Sequence, residues 1–342
     1  MNKPQPPRGR ASGRLTLDDV ARLAGVSAIT ASRALRGTRA VDPALVERVQ
    51  NAARQLNYVP DPAARALASS RSAQVAVLIP LLTNALFVEL LEAVQRKLLQ
   101  AGYQTLIGVT QYDPEQEEEL LRSYLAYRPA GLLVTGFDRS RTTRRLIEES
   151  GVPCVHMMET SAASDTYSVG LSQHEAARVL TQHLVDSGRK RIAYIAGQLD
   201  DRVMQRKRGY QQALEQAGLY DSRLEFLDPT PTSMALGAQQ FEQMLARHPD
   251  VDAMFFCNDD LAQGALMCAL RRQIAVPQRV AVVGFNDLAG SDQMLPPLTT
   301  VRTPRAAIGE SAATMLLALM RDEVVAQPAV DLGFELVVRE SC

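Results

Sequence analysis

Residues 16–37 read TLDDVARLAGVSAITASRALRG, and their spacing decides how the N-terminal part of the chain folds. Leu17, Val20, Ala21 and Ala24 fall at i, i+3, i+4 and i+7, drawing one apolar face along a short helix. Thr16 stands at the N-cap, Asp18 and Asp19 complement the dipole of the first turn, and Gly25 suits the C′ position. Ser27 caps a second helix, AITASRALR. A third follows Asp42 as N-cap and Pro43 as first helical residue, with Leu45, Val49, Ala52 and Leu56 on one face. It should stop near Asn57, because Pro60 and Pro62 lie ahead. Two short helices joined by a tight turn and backed by a third predict a helix-turn-helix. The close crossing needs a small residue and a turn glycine, which Ala21 and Gly25 supply. Ser27, Thr30, Ser32 and Arg33 then face outward, and hydroxyls and a guanidinium there suit phosphates and base edges. The plainer alternative is a three-helix cap.

Charge points the same way. Residues 1–71 hold twelve of the chain's 37 Lys/Arg but only five of its 38 Asp/Glu, leaving 25 against 33 for the rest. A basic nucleic-acid arm on an acidic body is the expected organisation. With 342 residues, 46% apolar and 22% charged, the chain has ordinary globular composition and room for two or three domains. No apolar run approaches the ~18 residues of a membrane span. Residues 1–14 are basic and rich in Pro and Gly, without the apolar stretch of a secretory signal. Four cysteines without C-x-x-C spacing make no disulfide framework. A soluble, reduced, cytoplasmic protein with no membrane partner is expected.

From Val75 onward the texture changes. Strand-like apolar runs occur near 75–80, 104–109, 131–135, 152–157, 166–171, 191–196, 223–227, 253–257 and 280–284. Helical patterns fill most gaps, as at 85–101, 115–127, 174–187, 203–217, 234–247 and 259–272. Continuous apolar strands alternating with helices predict an α/β body of parallel sheets covered on both faces. Its length exceeds one doubly wound lobe, so two lobes are expected.

Ligands of open α/β sheets lie beyond the carboxyl ends of the strands. FFCNDD ends there at Asn258 and Asp259, VAVVGFND at Asn286 and Asp287, and AYIAG leads to Gln198. Amides and carboxylates converging at one place suit a polyol, whose hydroxyls both donate and accept. Arg206 read alone is a solvated cation beside Arg202, Lys207 and Arg208. No GxGxxG, Walker A, H-E-x-x-H or G-x-S-x-G motif is present, and the histidines lack ligand spacing. The run Glu115–Glu119 reads as a solvated helix face. No catalytic residue, metal site or cofactor is expected, and the chain is not expected to be an enzyme.

Several stretches together resemble the lactose-repressor/galactose-repressor family of bacterial transcription factors. They are TLDDVARLAGVSAITASRALRG (16–37), LNYVPDPAARALA (56–68), IPLLTNALFVELLEAVQ (79–95), QRKRGYQQALEQAGL (205–219), FFCNDDLAQGALMCAL (255–270) and VAVVGFNDL…LPPLTTVRTP (280–304). Within the family the chain is most similar to the gluconate repressors, through IPLLTNALFVELL, GYQT, QLDDR and DLGFEL. The resemblance implies a disordered arm (1–14), a helix-turn-helix headpiece (15–60), a hinge helix and linker (61–74), and an effector-binding and dimerisation domain (75–342). That last domain would be a two-lobe periplasmic-binding-protein-like body in which the chain crosses between lobes three times. DNA contacts are implied for Thr16, Ser27, Ala28, Ile29, Thr30, Ser32 and Arg33, with Leu67 as a minor-groove wedge. Arg206, three before Gly209, matches the family's ligand-clamping arginine. Asn258, Asp259 and Asn286 join it, with Asn84, Phe87 and Glu159 from the first lobe, although Met158 competes with Glu159 for the cleft. Asn286 stands where the family often has Asp, and the lost charge favours an anionic ligand. The implied partners are operator DNA, a small anionic sugar acid and a second copy of the chain, with no leucine-heptad tail for a tetramer. The competing classes are a solute-binding protein of the ribose type and a sugar-phosphate enzyme. The first is opposed by the headpiece, the second by the missing catalytic groups.

Overall fold

Thr16 begins the first helix because Asp19 reaches back to it: the carboxylate accepts from the Thr16 N–H at 2.9 Å and its hydroxyl at 2.8 Å. The computed structural model describes residues 15–35, 41–59, 72–161, 163 and 165–342. Helix α1 runs Leu17–Ala24 and ends at Gly25, whose φ of 61° lies in the left-handed region that glycine enters without cost. Helix α2 (Ala28–Leu35) is capped by the Ser27 hydroxyl, which accepts from the Thr30 N–H at 3.2 Å. Helix α3 (Pro43–Gln55) starts at Asp42, which caps Ala44 at 2.8 Å. Val20, Ala21, Ala24, Ala31, Ala34, Val49 and Ala52 form its small buried core, which is alanine-rich because three short helices must cross closely.

The chain divides into two compact units, Met1–Ser72 and Ala73–Cys342. The expected arm (1–14) and the whole of the expected hinge helix, including Leu67, lie outside the described residues.

The second unit is built on two parallel sheets. The first holds β1 (Gln74–Ile79), β2 (Gln104–Val109), β3 (Gly131–Thr135), β4 (Cys154–Met158), β5 (Ser168–Gly170) and β11 (Ala329–Asp331), in the order β11-β5-β4-β3-β1-β2. The second holds β6 (Ile192–Ala196), β7 (Glu225–Leu227), β8 (Ala253–Phe256) and β9 (Ala281–Val283), in the order β7-β6-β8-β9. Two further strands, β10 (Thr300–Arg302) and β12 (Glu335–Val337), pair antiparallel where the chain passes between the sheets. Helices α4 (Leu86–Gln100), α5 (Pro114–Ala126), α6 (Arg141–Ser150) and α11 (Arg305–Leu319) cover the first sheet. Helices α7 (Gln173–Asp186), α8 (Asp201–Gln216), α9 (Met234–Arg247) and α10 (Asp259–Arg272) belong with the second. The chain therefore leaves the first lobe after β5, returns at α11 and leaves again after β11.

The strands are apolar on both faces, as burial by helices on each side requires. Val75, Val77 and Ile79 face one layer, Ala76 and Leu78 the other, and all are buried. In the second lobe Tyr194 packs edge-on against Phe255 with centroids 5.3 Å apart, and its buried hydroxyl donates to the Val203 carbonyl at 2.8 Å. The expected strand at 223–227 is shorter than its apolar run, because Ser222–Leu224 form a 3-10 turn before β7. No helix among the described residues is long and apolar enough to cross a membrane.

Candidate effector cleft and DNA-reading helix

The carboxyl ends of both sheets face one cleft, as the strand-end rule requires. The first lobe contributes Leu81 and Asn84 after β1, Tyr112 after β2 and Glu159 after β4. The second contributes Gln198 and Asp200 after β6, Arg202 and Arg206 on α8, Asn258 after β8 and Asn286 after β9. The outer part is a cavity of about 140 Å³, continuous with a tighter inner part through Tyr112, Asp200 and Arg202.

Arg206 is placed here by α8, whose Asp200 cap accepts from the Val203 N–H at 2.9 Å. The guanidinium is buried, donates to Gln173 Oε1 at 2.9 Å and the Cys257 carbonyl at 2.5 Å, and stacks 3.8 Å from the Phe285 ring centroid. No carboxylate among the described residues forms an ion pair with it. Burial accordingly pulls its pKa below the ordinary arginine value. Arg202 differs: its Nη2 is 2.8 Å from Asp200 Oδ2 and 3.4 Å from the Tyr112 hydroxyl. Burial opposes its charge, but Asp200, Tyr112 and Glu159 hold its pKa above the usual value. Its Nη1 is buried without a hydrogen-bond partner. The reading of Arg206, taken alone, as a solvated cation is thereby corrected, because α8 turns it inward and buries it.

Asn286 is 2% exposed, and its Oδ1 has no hydrogen-bond partner. Its φ of 106° lies in a region costly for any residue but glycine, a strain of about 1–3 kcal/mol that functional sites often carry. Asn258 caps α10, its side chain accepting from the Leu261 N–H at 3.4 Å. Asn84 likewise caps the start of α4, accepting from the Leu86 N–H at 3.0 Å. Glu159, not Met158, lines the cleft: Met158 is buried in the core, while Glu159 accepts from Gln205 Nε2 of the other lobe at 2.5 Å. Burial raises the Glu159 pKa.

Two expected cleft residues sit elsewhere. Phe87 is wholly buried in the first lobe's core and reaches the cleft only as a ring 5.8 Å beneath Arg202, because α4 turns its second residue inward. Asp259 is also wholly buried. Its carboxylate accepts from the Leu288 N–H at 2.6 Å, the Ser291 hydroxyl at 3.0 Å and the Thr300 hydroxyl at 2.7 Å, so it braces the loop behind the site. Glu117 is a third departure: it is buried and paired with Arg139 at 3.0 Å, so the acidic run is not uniformly solvated. Sequence reasoning missed Tyr112, Asp200 and Arg202, together with Thr232, which lines the inner part of the cleft, and Gln173, which holds Arg206; only Asp200 carried a signal, as an acid ahead of a helical pattern.

In the headpiece, Ile29 is 67% exposed and Arg33 is exposed, while Ala28, Thr30 and Ser32 are half-buried on the same helix. Ser27 and Thr30 hydroxyls lie 2.8 Å apart, outside the core. The Thr16 hydroxyl is engaged by Asp19. An exposed hydroxyl, apolar and guanidinium surface on a short helix can meet a DNA groove.

Comparison with known proteins agrees with this architecture. Residues 16–61 match the family described as bacterial regulatory proteins, lacI family, and residues 181–342 match a periplasmic binding protein-like domain. The chain is 54% identical to the HTH-type transcriptional regulator GntR of Pseudomonas aeruginosa over 97% of both chains. It is 35% identical to the regulator of the same name from Escherichia coli K12, covering 94% of this chain and 97% of that one. A crystal structure of transcription regulator GntR from Chromobacterium violaceum aligns with TM-score 0.77 and 46% identity, over 78% of this chain and 98% of that one. The lac repressor dimer bound to operator and the anti-inducer ONPF aligns with TM-score 0.83 and 26% identity, over 96% and 99%. The chain belongs to the lacI family of bacterial regulatory proteins. It is a DNA-binding transcriptional repressor, and its relatives are regulators rather than enzymes.

Proposed function

We propose that this repressor is released from its operator by a small anionic sugar acid bound between the lobes, gluconate or a related aldonate. One observation carries the reading: Arg206 is a buried guanidinium with no ion pair to a carboxylate among the described residues. An unpaired buried cation is costly, and a ligand carboxylate forking onto it relieves that cost. Two further groups fit a polyhydroxy acid, since Arg202 Nη1 wants an acceptor and Asn286 Oδ1 wants a donor. The resemblance to gluconate repressors favours the aldonate; 6-phosphogluconate and a ketogluconate are the related alternatives.

On DNA, Thr16, Ser27, Ala28, Ile29, Thr30, Ser32 and Arg33 contact the operator, and Leu67 wedges into the minor groove. The repressor works as a homodimer on a pseudo-palindromic site, because one headpiece buries too little surface for specific affinity. Arg33→Ala is expected to relax base preference by about 1–3 kcal/mol at one position per half-site. Binding to a set of single-substitution operators checks this.

Lobe closure around the ligand separates the first lobes of the two subunits and melts the hinge helices. A ligand acts this way only by binding the DNA-incompetent state more tightly, so ligand and operator must weaken each other by the same factor. Calorimetric titration of gluconate into free protein and into the operator complex tests the reading. Equal affinity in both sinks it; tighter binding to the complex makes the ligand a co-repressor.

A further inference from the structure

Arg305, the first residue of α11, stands where the chain re-enters the first lobe, and its guanidinium is almost wholly buried. Its Nη1 donates to the Asn286 carbonyl and its Nη2 to the Asp287 carbonyl at 3.2 Å. The same group forks onto Glu89 of α4, with Nε 3.2 Å from Oε2 and Nη2 2.9 Å from Oε1. One planar cation thus spans the second lobe's cleft backbone and a helix of the first lobe. A bidentate fork fixes orientation as well as distance, which a single ammonium cannot do.

The backbone it holds is unusual. Asn286 and Asp287 have φ values of 106° and 51°, two successive non-glycine residues in the left-handed region. Asn286 lines the cleft, is tied by its N–H to the Val301 carbonyl at 2.8 Å, and has a buried Oδ1 without a hydrogen-bond partner among the described residues. Asp287 is clamped by Arg302 and Arg339, each at 2.8 Å. Helix α11 packs closely on α4, where Gly309 lies so near the Leu90 carbonyl that an added Cβ would come within 2.5 Å. Other polar links join the lobes, such as Gln205 to Glu159 and Gln173 Nε2 to the Met158 carbonyl at 3.0 Å, but these end on a loop and on the last residue of β4. The Arg305 fork ends on a helix whose outward Val88 and Leu99 are exposed apolar residues.

We infer that Arg305 is a positioning residue that ties the effector-facing backbone at Asn286 to α4, so that cleft occupancy is transmitted to the first lobe through the Arg305–Glu89 fork. The inference rests on the effector reading above and adds how that site is regulated. Full-length wild type, Arg305→Lys and Glu89→Gln are compared, with gluconate as the probe. Gluconate affinity comes from calorimetry, and operator affinity from fluorescence anisotropy with and without saturating gluconate. Both variants should keep gluconate affinity and unliganded operator affinity within about threefold, while the factor by which gluconate weakens operator binding falls about tenfold or more. Glu89 is half-exposed, so Glu89→Gln decides the matter even where Arg305→Lys folds poorly. An unchanged factor in Glu89→Gln overturns the relay alone. A wild type that does not bind gluconate overturns the effector reading and the relay with it.

Discussion

Arg206→Ala is expected to weaken gluconate binding by about 1.5–3 kcal/mol, roughly ten- to 150-fold, while leaving operator binding by the unliganded repressor intact. The asymmetry follows from what Arg206 touches. Its hydrogen-bond and ring partners are the neutral Gln173 side chain, the Cys257 carbonyl and the Phe285 ring, so its removal breaks no ion pair, although Asp200 and Asp260 lose a nearby positive charge. The desolvation of an unpaired cation vanishes with it and offsets the two lost hydrogen bonds. A ligand carboxylate, by contrast, loses its charged fork. Thermal unfolding reads both effects: ligand at 100 times its Kd should raise wild-type stability by about 2.7 kcal/mol, and the same concentration should raise the variant's by only about 0.3–1.4 kcal/mol. A variant that still responds like wild type would place the anion elsewhere.

Asp259→Ala should do the opposite, harming the fold first and the ligand second. Three donors converge on this carboxylate, and removing it leaves the Leu288 N–H and two hydroxyls without their buried acceptor. A loss of about 2–4 kcal/mol in urea-monitored stability is expected. Because Leu288 directly follows the Asn286–Asp287 turn, gluconate affinity should fall as the turn loosens. The pH dependence has a definite sign. Burial raises the Asp259 pKa from 3.8 to about 6, against the three hydrogen bonds that lower it. Between those values the unfolded chain gives up its proton first, so this residue's contribution to stability falls as pH rises from about 4 to 6 and is level above. The alanine variant should lack that slope. An identical pH profile in both proteins would contradict the burial argument.

How much of this was legible in the sequence depends on the range of the interactions involved. The headpiece was readable almost residue by residue, because its signals are local: Asp19 reaching back to Thr16, Ser27 and Asp42 at caps, Gly25 at φ 61°. Helix α11 went unread for a physical reason. Its exposed face carries Ala306 and Ala307 beside Glu310 and Thr314, while its buried face includes Gly309, Ala312 and Ala313, so polarity hardly marks its period. Helix α6 fails in the other direction, since Leu146 and Ile147 are too few to draw a stripe. In the cleft, strand ends announced Asn258 and Asn286. Arg202 could not be announced: Asp200 is nearby in sequence, but Tyr112 and Glu159 belong to the other lobe. Phe87 and Asp259 show the same limit, because whether a residue next to a helix start faces ligand or core depends on the helix's rotation.

The three passages of the chain between lobes carry a consequence for how the protein is made. The first sheet is completed at its edge by β11, paired with β5, and covered by α11, yet these lie more than 130 residues beyond β5 in the sequence. At ribosomal speeds of about 5–20 residues per second, the nascent first lobe waits roughly 7–30 seconds with an open edge and an uncovered apolar face. The second lobe, synthesised during that wait, is finished in turn only by the C-terminal segment, where Ser341 bonds to Val282 of β9. Neither lobe is one continuous stretch of chain. A graft that moves this effector pocket onto another repressor must therefore carry three junctions at the crossings, and a single cut between lobes would leave both halves without an edge.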